Sequence, residues 1–313
     1  MPARDESAGD TISSIVPRTL SVVIVTWNSS GCIHDCLSSL EGKTSDIEVI
    51  IVDNDSHDGT QEIVEKHFPW VRLISNSHNA GYAHANNQGI AESSGDYLLF
   101  LNPDTIVNDR AIPALMTFMK SHDEAGALAP QLINPDGTVQ QSCREFPTWQ
   151  ILLWEFTGFS RIFSKSRLFA RWRMGYFDHR SMREVDQPMA SCLLVPRGVL
   201  EAVGVFDERF PMFMNDVDLC YRIKKGGWCI VFFPEASVVH RLGESTERVK
   251  KQMIISSHRS IYHYFKKHHP TWTNEILGAF LVIAALIRIA RLKLRPKGAK
   301  ASHNSRPRTG VSA

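Results

Sequence analysis

The chain has 313 residues, of which 43% are hydrophobic and 22% are charged, and its formal net charge is +2. This composition is that of an ordinary globular protein, which can bury a core without disulfides or metal ions to hold it. A nearly neutral chain has no overall charge that attracts an acidic partner, so nucleic-acid binding is not indicated.

The two ends of the chain differ in charge. Residues 1–19 contain acidic residues and no apolar run of signal-peptide length, which predicts a disordered lead-in. No acidic residue follows Glu275, whereas eight Lys and Arg lie between Arg288 and Arg308, so residues 296–313 are predicted to be a basic, disordered tail. The six cysteines form no CxxC pair, which favours reduced thiols and a cytoplasmic location.

The first hundred residues alternate apolar runs with segments of helical spacing. The apolar runs are LSVVIVTW, IEVIIVD, VRLIS and DYLLFLN. Continuous apolar strands joined by helices predict a mostly parallel, Rossmann-like α/β sheet. Ligands of such sheets gather at the carboxyl ends of the strands, and polar residues follow each strand here. These are Thr26 and Asn28, Asp53 to Asp58, Asn76 to Asn79, and Asn102 to Asp104.

Two common phosphate-binding loops are missing from the sequence. No GxGxxG follows the first strand, and Gly42-Lys43-Thr44 lacks the upstream glycine of a P-loop. The loops are instead rich in Asn and Asp. They suit hydrogen bonds to a base and ribose, with a diphosphate held through Mg²⁺ or Mn²⁺, because these ions prefer oxygen ligands.

The second half of the chain predicts a cover and a C-terminal helical region. Residues 148–186 are rich in Trp, Phe and Arg, and are predicted to be an insert over a site. An amphipathic helix is predicted from Glu247 to Lys267, ahead of His268 and His269, which are interpreted as its solvated end.

The apolar run Ile276–Ile287 is the other feature of residues 246–295. It is shorter than the roughly 20 residues of a spanning helix. It is followed by Arg288, Arg291, Lys293 and Arg295. An apolar helix and a basic segment together predict attachment to an anionic membrane surface. The alternative is a helix packed on the domain, with a solvated tail.

The stretch from Phe210 to Trp228 has two interpretations. In one, Asn215 caps a helix, Asp218 completes a capping box, and Gly226 ends the helix. In the other, Asp216 lies among apolar residues with a raised pKa and acts as a base. Local sequence leaves both open.

Seven motifs follow one another along the chain. They are VVIVTWN, IIVDNDSHDGT, NAGYAHANNQGI, LLFLNPDT, ASCLLVPRGVLEAVGVFDERF, MNDVDLCYRIKKGGW and VVHRLGEST. In this order they resemble the family 2 glycosyltransferases of the GT-A fold, over about Leu20 to Phe265. RLFARWRMGYFDHRSMREVDQP resembles the insert of their rhamnosyltransferase-like bacterial branch. The resemblance implies an inverting, metal-dependent transferase, with a catalytic domain at residues 20–245 and an insert facing the acceptor.

The resemblance also implies roles for individual residues. Asp216 matches the base that takes the proton of the acceptor hydroxyl, and Asn215 replaces an acid. Asn102, Asp104 and His240 match positions that hold Mg²⁺ or Mn²⁺, with Asn102 in place of the first acid of a DxD motif. Positions matching substrate-binding residues are Thr26, Asn28, Asp53, Asn79, Gly81, Asn86, Asn87, Ser191, Asp218 and Arg222.

Several of these residues also have structural interpretations. Asp53 suits a turn before the next helix, and Asn86 and Asn87 suit an exposed helix face. His240 suits a structural histidine. Arg222, one turn after Asp218, is spaced to pair with it.

The resemblance implies both substrates. The donor is expected to be a nucleoside-diphosphate sugar, with dTDP-L-rhamnose indicated by the insert. The acceptor is expected to be a lipid-linked or cell-surface polysaccharide, met at the inner face of the cell membrane by a peripheral cytoplasmic protein. The alternative is a non-catalytic, nucleotide-sugar-binding scaffold of a glycan assembly complex, in which Asn102 and Asn215 mark lost chemistry.

Overall fold

The computed structural model describes residues 20–42, 47–241 and 250–294. The lead-in predicted for residues 1–19 and the tail predicted for residues 296–313 lie outside the described residues.

The first part of the chain forms the predicted alternation of strands and helices. Its elements are β1 (Leu20–Thr26), α1 (Ile33–Ser38), β2 (Ile47–Asp53), α2 (Thr60–His67), β3 (Arg72–Ser75), α3 (Tyr82–Ala91) and β4 (Tyr97–Leu101). β1 pairs in parallel with β2 and β4, and β2 pairs in parallel with β3. Every residue of β1 and β4 is buried, because helices or loops cover both faces of the sheet. The α/β prediction is confirmed.

The second part extends this sheet with mixed pairing. It contributes β5 (Thr105–Val107), α4 (Ala111–Ser121), β6 (Ala125–Ile133), β7 (Cys143–Arg144), β8 (Arg183–Glu184), β9 (Gln187–Pro188), β10 (Cys192–Pro196) and β11 (Cys229–His240). The strand order is β3-β2-β1-β4-β10-β6-β11-β5, with β8 also on β11. β10 runs antiparallel between β4 and β6, whereas β6 and β11 are parallel. β7 and β9 form a separate pair.

The remaining helices surround one end of the sheet. They are α5 (Trp149–Thr157), α6 (Phe159–Ile162), α7 (Arg197–Val203), α8 (Asn215–Lys225), α9 (Lys250–His268) and α10 (Thr273–Leu294). The hairpin of α9 and α10 packs against α5 and α8 through a hydrophobic cluster. Its buried members are Leu152, Phe210, Met214, Val217, Tyr264, Phe265, Leu277 and Leu281. The insert and the C-terminal helices therefore share one core.

Helix α10 is longer than its apolar run. It has 22 residues, and the window Thr273–Ala290 has a mean hydropathy of 1.7, which by length and composition is enough to cross a membrane. The expectation of a helix too short to span was wrong, because the helix continues beyond the apolar run at both ends. Leu277, Leu281 and Ala285 are buried, at the spacing of one helix face. The opposite face exposes Ile276, Phe280, Val282, Ile283, Leu286 and Ile287.

Candidate active site

A cavity of about 460 Å³ opens at the carboxyl ends of β1, β2 and β4, where a parallel sheet binds its ligands. Five of the predicted site residues line it: Thr26, Asn79, Gly81, Asn102 and Asp104. Sequence reasoning had not assigned the opposite wall, which is formed by Met212 and by Gln252, Met253 and Ser256 of α9. The predicted crevice is therefore partly roofed by the C-terminal region.

Asp53 lies beneath this cavity and is fully buried. Its carboxylate accepts hydrogen bonds from Thr26 Oγ1 at 2.7 Å, from Ser56 N at 2.9 Å, from Ser56 Oγ at 2.6 Å and from Gln61 Nε2 at 2.6 Å. Asn28 binds the same loop, because its N–H donates to Ser56 Oγ at 2.8 Å. In this arrangement Asp53 and Asn28 hold together the loops that follow β1 and β2.

Gly81 allows a close approach between the start of α3 and the segment before α8. Its φ is 92°, a left-handed value that favours glycine, and a Cβ there would lie 2.9 Å from the carbonyl oxygen of Pro211. That oxygen accepts hydrogen bonds from the N–H groups of Tyr82 at 2.7 Å and Ala83 at 3.3 Å. Asn79 Oδ1 accepts from Gly81 N at 3.0 Å. The first turn of α3 is thus satisfied by protein backbone.

Asn86 and Asn87 point into the protein rather than into the cavity. Asn86 is buried and donates to Tyr82 O at 2.8 Å. Asn87 donates from Nδ2 to Phe206 O and to Glu208 Oε1, both at 2.9 Å, and accepts from Phe206 N at 3.0 Å. The structure does not bring these two residues to the 460 Å³ cavity, because Asn86 forms its hydrogen bond within α3 and Asn87 binds Phe206 and Glu208.

Asp104 and His240 face each other at the cavity edge, with 3.3 Å between Asp104 Oδ1 and His240 Nε2. His240 Nδ1 lies 2.8 Å from Gln140 Oε1, and the Gln140 amide is oriented by its donation to Asn134 Oδ1 at 2.8 Å. Because an amide oxygen only accepts, Nδ1 carries the proton in this hydrogen bond, and Nε2 is the ring nitrogen that faces Asp104.

The Asp104–His240 pair fits a divalent cation. The buried Oδ1 of Asp104 accepts no hydrogen bond from any described residue. A carboxylate oxygen and an imidazole nitrogen that share no proton are the donors that Mg²⁺ or Mn²⁺ can use, together with phosphate oxygens of a substrate. Asn102 is held beside them, because it donates from Nδ2 to Ser191 Oγ at 3.2 Å and from its backbone N to Ser191 O at 2.9 Å. No cluster of three His, Cys, Asp or Glu occurs within residues 20–42, 47–241 and 250–294.

Asp216 is half-buried in the first turn of α8. Its Oδ1 accepts from Val217 N at 2.8 Å, and its Oδ2 accepts from Gln187 Nε2 at 2.8 Å. Burial raises the pKa of Asp216, although these hydrogen bonds oppose the rise. A carboxylate with a raised pKa is a stronger base than an exposed aspartate.

The phenol of Tyr82 is influenced by the charges of both Asp104 and Asp216. Burial first, and then the negative charge of Asp216, raise the pKa of the Tyr82 phenol, and the charge of Asp104 adds to the rise. Tyr82 therefore lies within electrostatic range of both carboxylates. One carboxylate belongs to the pair that suits a cation, and the other is the strongest candidate base.

Asn215 does not cap α8, and this prediction was wrong. Met214 precedes the helix with a left-handed φ of 67°, and no side chain caps the first turn. Met214 therefore occupies the N-cap position, and Asn215 is the first residue of the helix. Its side chain donates instead to Met212 O at 2.9 Å. Such backbone strain occurs most often at functional sites.

Asp218 is fully buried and binds the side-chain nitrogens of three basic residues instead of capping the helix. Its carboxylate contacts Arg222 Nε at 2.9 Å, Lys267 Nζ at 2.6 Å and His268 Nε2 at 2.7 Å. Burial alone would raise the pKa of Asp218, but the hydrogen bonds from His268 and Lys267 outweigh it, so the pKa is lowered. The interpretation of His268 as solvated was wrong, because the last turn of α9 folds onto α8.

Arg222 has the partner expected from its spacing and three more. Its guanidinium donates to the carbonyl oxygens of Val203, Gly204 and Val205 at 2.6–2.8 Å. Arg222 and Asp218 therefore join α7, α8 and α9. Neither residue lines the 460 Å³ cavity.

Comparison with known proteins agrees with this fold. The family described as "Glycosyl transferase family 2" matches residues 21–179. The N-acetylglucosaminyl-diphospho-decaprenol L-rhamnosyltransferase of Mycobacterium tuberculosis is 34% identical over 268 residues, which are 81% of this chain and 86% of the relative. The chain belongs to glycosyl transferase family 2.

Further relatives of this family 2 glycosyltransferase are more distant. The low-salt glycan biosynthesis hexosyltransferase Agl10 of Haloferax volcanii is 25% identical over 66% of this chain and 62% of its own length. The structure of the mannosyltransferase PcManGT of Pyrobaculum calidifontis, in complex with GDP-Man and Mn²⁺, aligns with a TM-score of 0.54 at 16% identity, over 87% of this chain and 75% of that one. This structural likeness shows the GT-A fold.

Two residues that support the site had no local signal in the sequence of this glycosyltransferase. Gln140 orients His240 across 100 positions, and Gln187 binds Asp216 across 29 positions. Both contacts exist only after the sheet has formed. Tyr82 lay within a motif, but its closeness to the charges of Asp104 and Asp216 could not be read from its neighbours in the sequence.

The Asp218 ion cluster predicts a large effect of one substitution on stability. Asp218→Asn should lower the free energy of unfolding by about 3 kcal/mol, because it removes the buried anion that Arg222 and His268 contact. Lys267 keeps a second anion, since it also pairs with Asp207 at 2.7 Å. Urea denaturation followed by circular dichroism measures this.

The matched control is Asp35→Asn. Asp35 pairs with Arg241 at 2.8 Å, but its side chain is 49% exposed, so the loss should be below about 1 kcal/mol. Equal effects of the two substitutions would contradict a structural role for the cluster.

Proposed function

We propose that this family 2 glycosyltransferase moves a sugar from a nucleoside diphosphate to a lipid-linked glycan by a single inverting displacement, and that its donor is dTDP-L-rhamnose. The observation that supports the reaction is the Asp104–His240 pair, 3.3 Å apart at the edge of a cavity that Tyr82 also lines. Tyr82 is within electrostatic range of both Asp104 and Asp216. The donor sugar and the lipid-linked acceptor are supported by the mycobacterial relative, which is named as an L-rhamnosyltransferase for N-acetylglucosaminyl-diphospho-decaprenol.

In this proposal the donor and the acceptor approach the site from different sides. The donor enters the 460 Å³ cavity with its diphosphate toward Asp104 and His240. Asp216 takes the proton of the acceptor hydroxyl as its oxygen attacks the anomeric carbon, and the bond from that carbon to the diphosphate breaks on the opposite face. Gln187 and the Val217 N–H each bind one oxygen of Asp216 and so fix the plane of the base.

Asp104 and His240 would hold a divalent cation in this reaction. Such an ion offsets the negative charge that develops on the departing nucleoside diphosphate. Gln140 keeps His240 in the tautomer whose Nε2 can coordinate, and Ser191 keeps Asn102 beside Asp104. Of the predicted nucleotide contacts, Thr26, Asn79 and Gly81 are the ones we place against the donor.

We expect a donor panel with Mg²⁺ or Mn²⁺ and a lipid-linked acceptor extract to release a nucleoside diphosphate, most rapidly from dTDP-L-rhamnose. Asp216→Asn should reduce turnover by about 10²- to 10⁴-fold, because it removes the carboxylate that is proposed to accept the proton. Its affinity for the donor, measured by calorimetry, should stay within about twofold of wild type.

The pH profile provides a second readout of the base. Asp216 works deprotonated and its pKa is raised, so activity should fall on acidification above the ordinary aspartate pKa of about 3.9. Gln187→Leu removes a donor to the charged carboxylate and should move this limb to higher pH. Donor binding by folded protein without turnover of any donor would instead support the non-catalytic scaffold.

Metal dependence has its own test. EDTA should abolish turnover and Mn²⁺ should restore it. Electron paramagnetic resonance should show weaker Mn²⁺ binding for His240→Ala, and Gln140→Leu should weaken it by about 10- to 100-fold through loss of ring orientation. Asn87→Ala is the control, since Asn87 binds Phe206 and Glu208 outside the cavity. Unchanged Mn²⁺ binding by His240→Ala would contradict the assignment.

We also propose that the protein acts as a peripheral protein at the cytoplasmic face of the membrane, with the exposed face of α10 on an anionic surface. Replacing Val282 and Leu286, which are 60% and 62% exposed, by Glu should reduce sedimentation with phosphatidylglycerol vesicles about tenfold. The exposed Val205 after α7 provides the control Val205→Glu. Equal sedimentation of the two variants would argue against this surface.

A further inference from the structure

A second cavity, of about 610 Å³, lies between the insert and the C-terminal hairpin. Apolar side chains from three parts of the chain form most of its wall. They are Leu152 and Phe156 of α5, Trp172 of the insert, and Phe280, Ile283 and Ile287 of α10. Ile283 and Ile287 are 56% and 48% exposed, so the cavity is open along α10.

Apolar surface continues beyond the mouth of this cavity. Leu153 of α5 and Ile162 of α6 are 49% and 71% exposed, and Phe159 and Phe163 are also exposed. A contiguous apolar surface of this kind on a globular protein marks a binding site. An occupant that matches it must have a long apolar portion.

Positive charge is concentrated at the same cavity. Arg161, Arg173 and Arg288 line it together with one acid, Glu155, which pairs with Arg173 at 3.2 Å. Arg161 and Arg288 have no acidic partner among the described residues. Arginine binds phosphate groups with two parallel hydrogen bonds, so an occupant with a diphosphate would satisfy these groups.

One residue that lines the second cavity is close in sequence to the proposed base. Met214 lines it and lies two residues before Asp216. Burial lowers the pKa of the Arg144 guanidinium, and the charge of Arg173 lowers it further. The charge of Asp216 acts on the same guanidinium and opposes this change. Arg144 therefore lies within electrostatic range of both Arg173, which lines the cavity, and Asp216.

We propose that this cavity binds the acceptor as a polyprenyl diphosphate that carries a sugar. The isoprenoid chain lies on the apolar wall formed by α5 and α10, and the diphosphate lies among Arg161, Arg173 and Arg288. The sugar then extends past Met214 toward Asp216. This assignment rests on the proposed function, and it names the residues that select the acceptor.

The test is a binding titration of the full chain in detergent micelles, with decaprenyl diphosphate as the probe. Decaprenol lacks the diphosphate and inorganic diphosphate lacks the chain, so both should bind at least tenfold more weakly. Arg161→Ala and Ile283→Gln should each weaken decaprenyl diphosphate binding by about tenfold, because each removes one part of the site.

Matched controls come from the same elements. Arg180→Ala changes an exposed arginine of the insert, and Ile276→Gln changes a residue of α10 that is 57% exposed, and neither residue lines the cavity. Both should bind the probe as wild type does. Unchanged unfolding and donor affinity in all four variants show that the fold is intact.

The remaining outcomes separate this inference from the proposed function. Binding of the probe that is lost only in the two cavity variants supports the site, even if no donor is turned over. Turnover of a soluble acceptor without probe binding overturns the site and leaves the transferase. Equal loss in cavity and control variants would indicate a general lipid surface, and a dimer that Ile283→Gln dissociates would indicate a second copy. Either result overturns the proposal.

Discussion

The buried carboxylate of Asp218 is the interaction on which the arrangement of both cavities depends. A charge out of contact with water is tolerated only when oppositely charged donors surround it, and two of its three partners, Lys267 and His268, come from the last turn of α9. The start of α8 and the end of α9 must therefore meet. Once they do, the first half of α9 lies against the donor cavity and α10 lies beside the insert.

The segment from Pro211 to Asp216 then connects every part of the site. The carbonyl of Pro211 satisfies the first turn of α3, and Met212 lines the donor cavity. Met214 lines the second cavity and takes the left-handed conformation that starts α8. Asp216 follows one helical position after Asn215. Chain connectivity thus keeps the proposed base within a six-residue stretch that also contributes one residue to each cavity.

Sequence patterns were sufficient where local physics decides the structure. β-branched runs predicted the strands, and the strand-end rule brought Thr26, Asn102 and Asp104 to one cavity. Patterns were insufficient where distant segments decide it. The cap predicted at Asn215 failed because Met214 is left-handed, and the partners of Asp218 on α9 lie about fifty positions away. The antiparallel insertion of β10 between β4 and β6 also has no local signal.

The two amides that replace family acids are explained by their hydrogen bonds, without loss of chemistry. Asn215 Nδ2 donates to the carbonyl oxygens of Met212 at 2.9 Å and Phe210 at 3.4 Å. A carboxylate there would face two acceptors and be repelled, so the amide stabilises the turn that holds Asp216. The basicity of Asp216 does not require an acidic neighbour, because burial raises its pKa. Asn102 binds Ser191, which leaves Asp104 and His240 as the pair that faces the diphosphate. A catalytic transferase therefore accounts for these positions better than a scaffold.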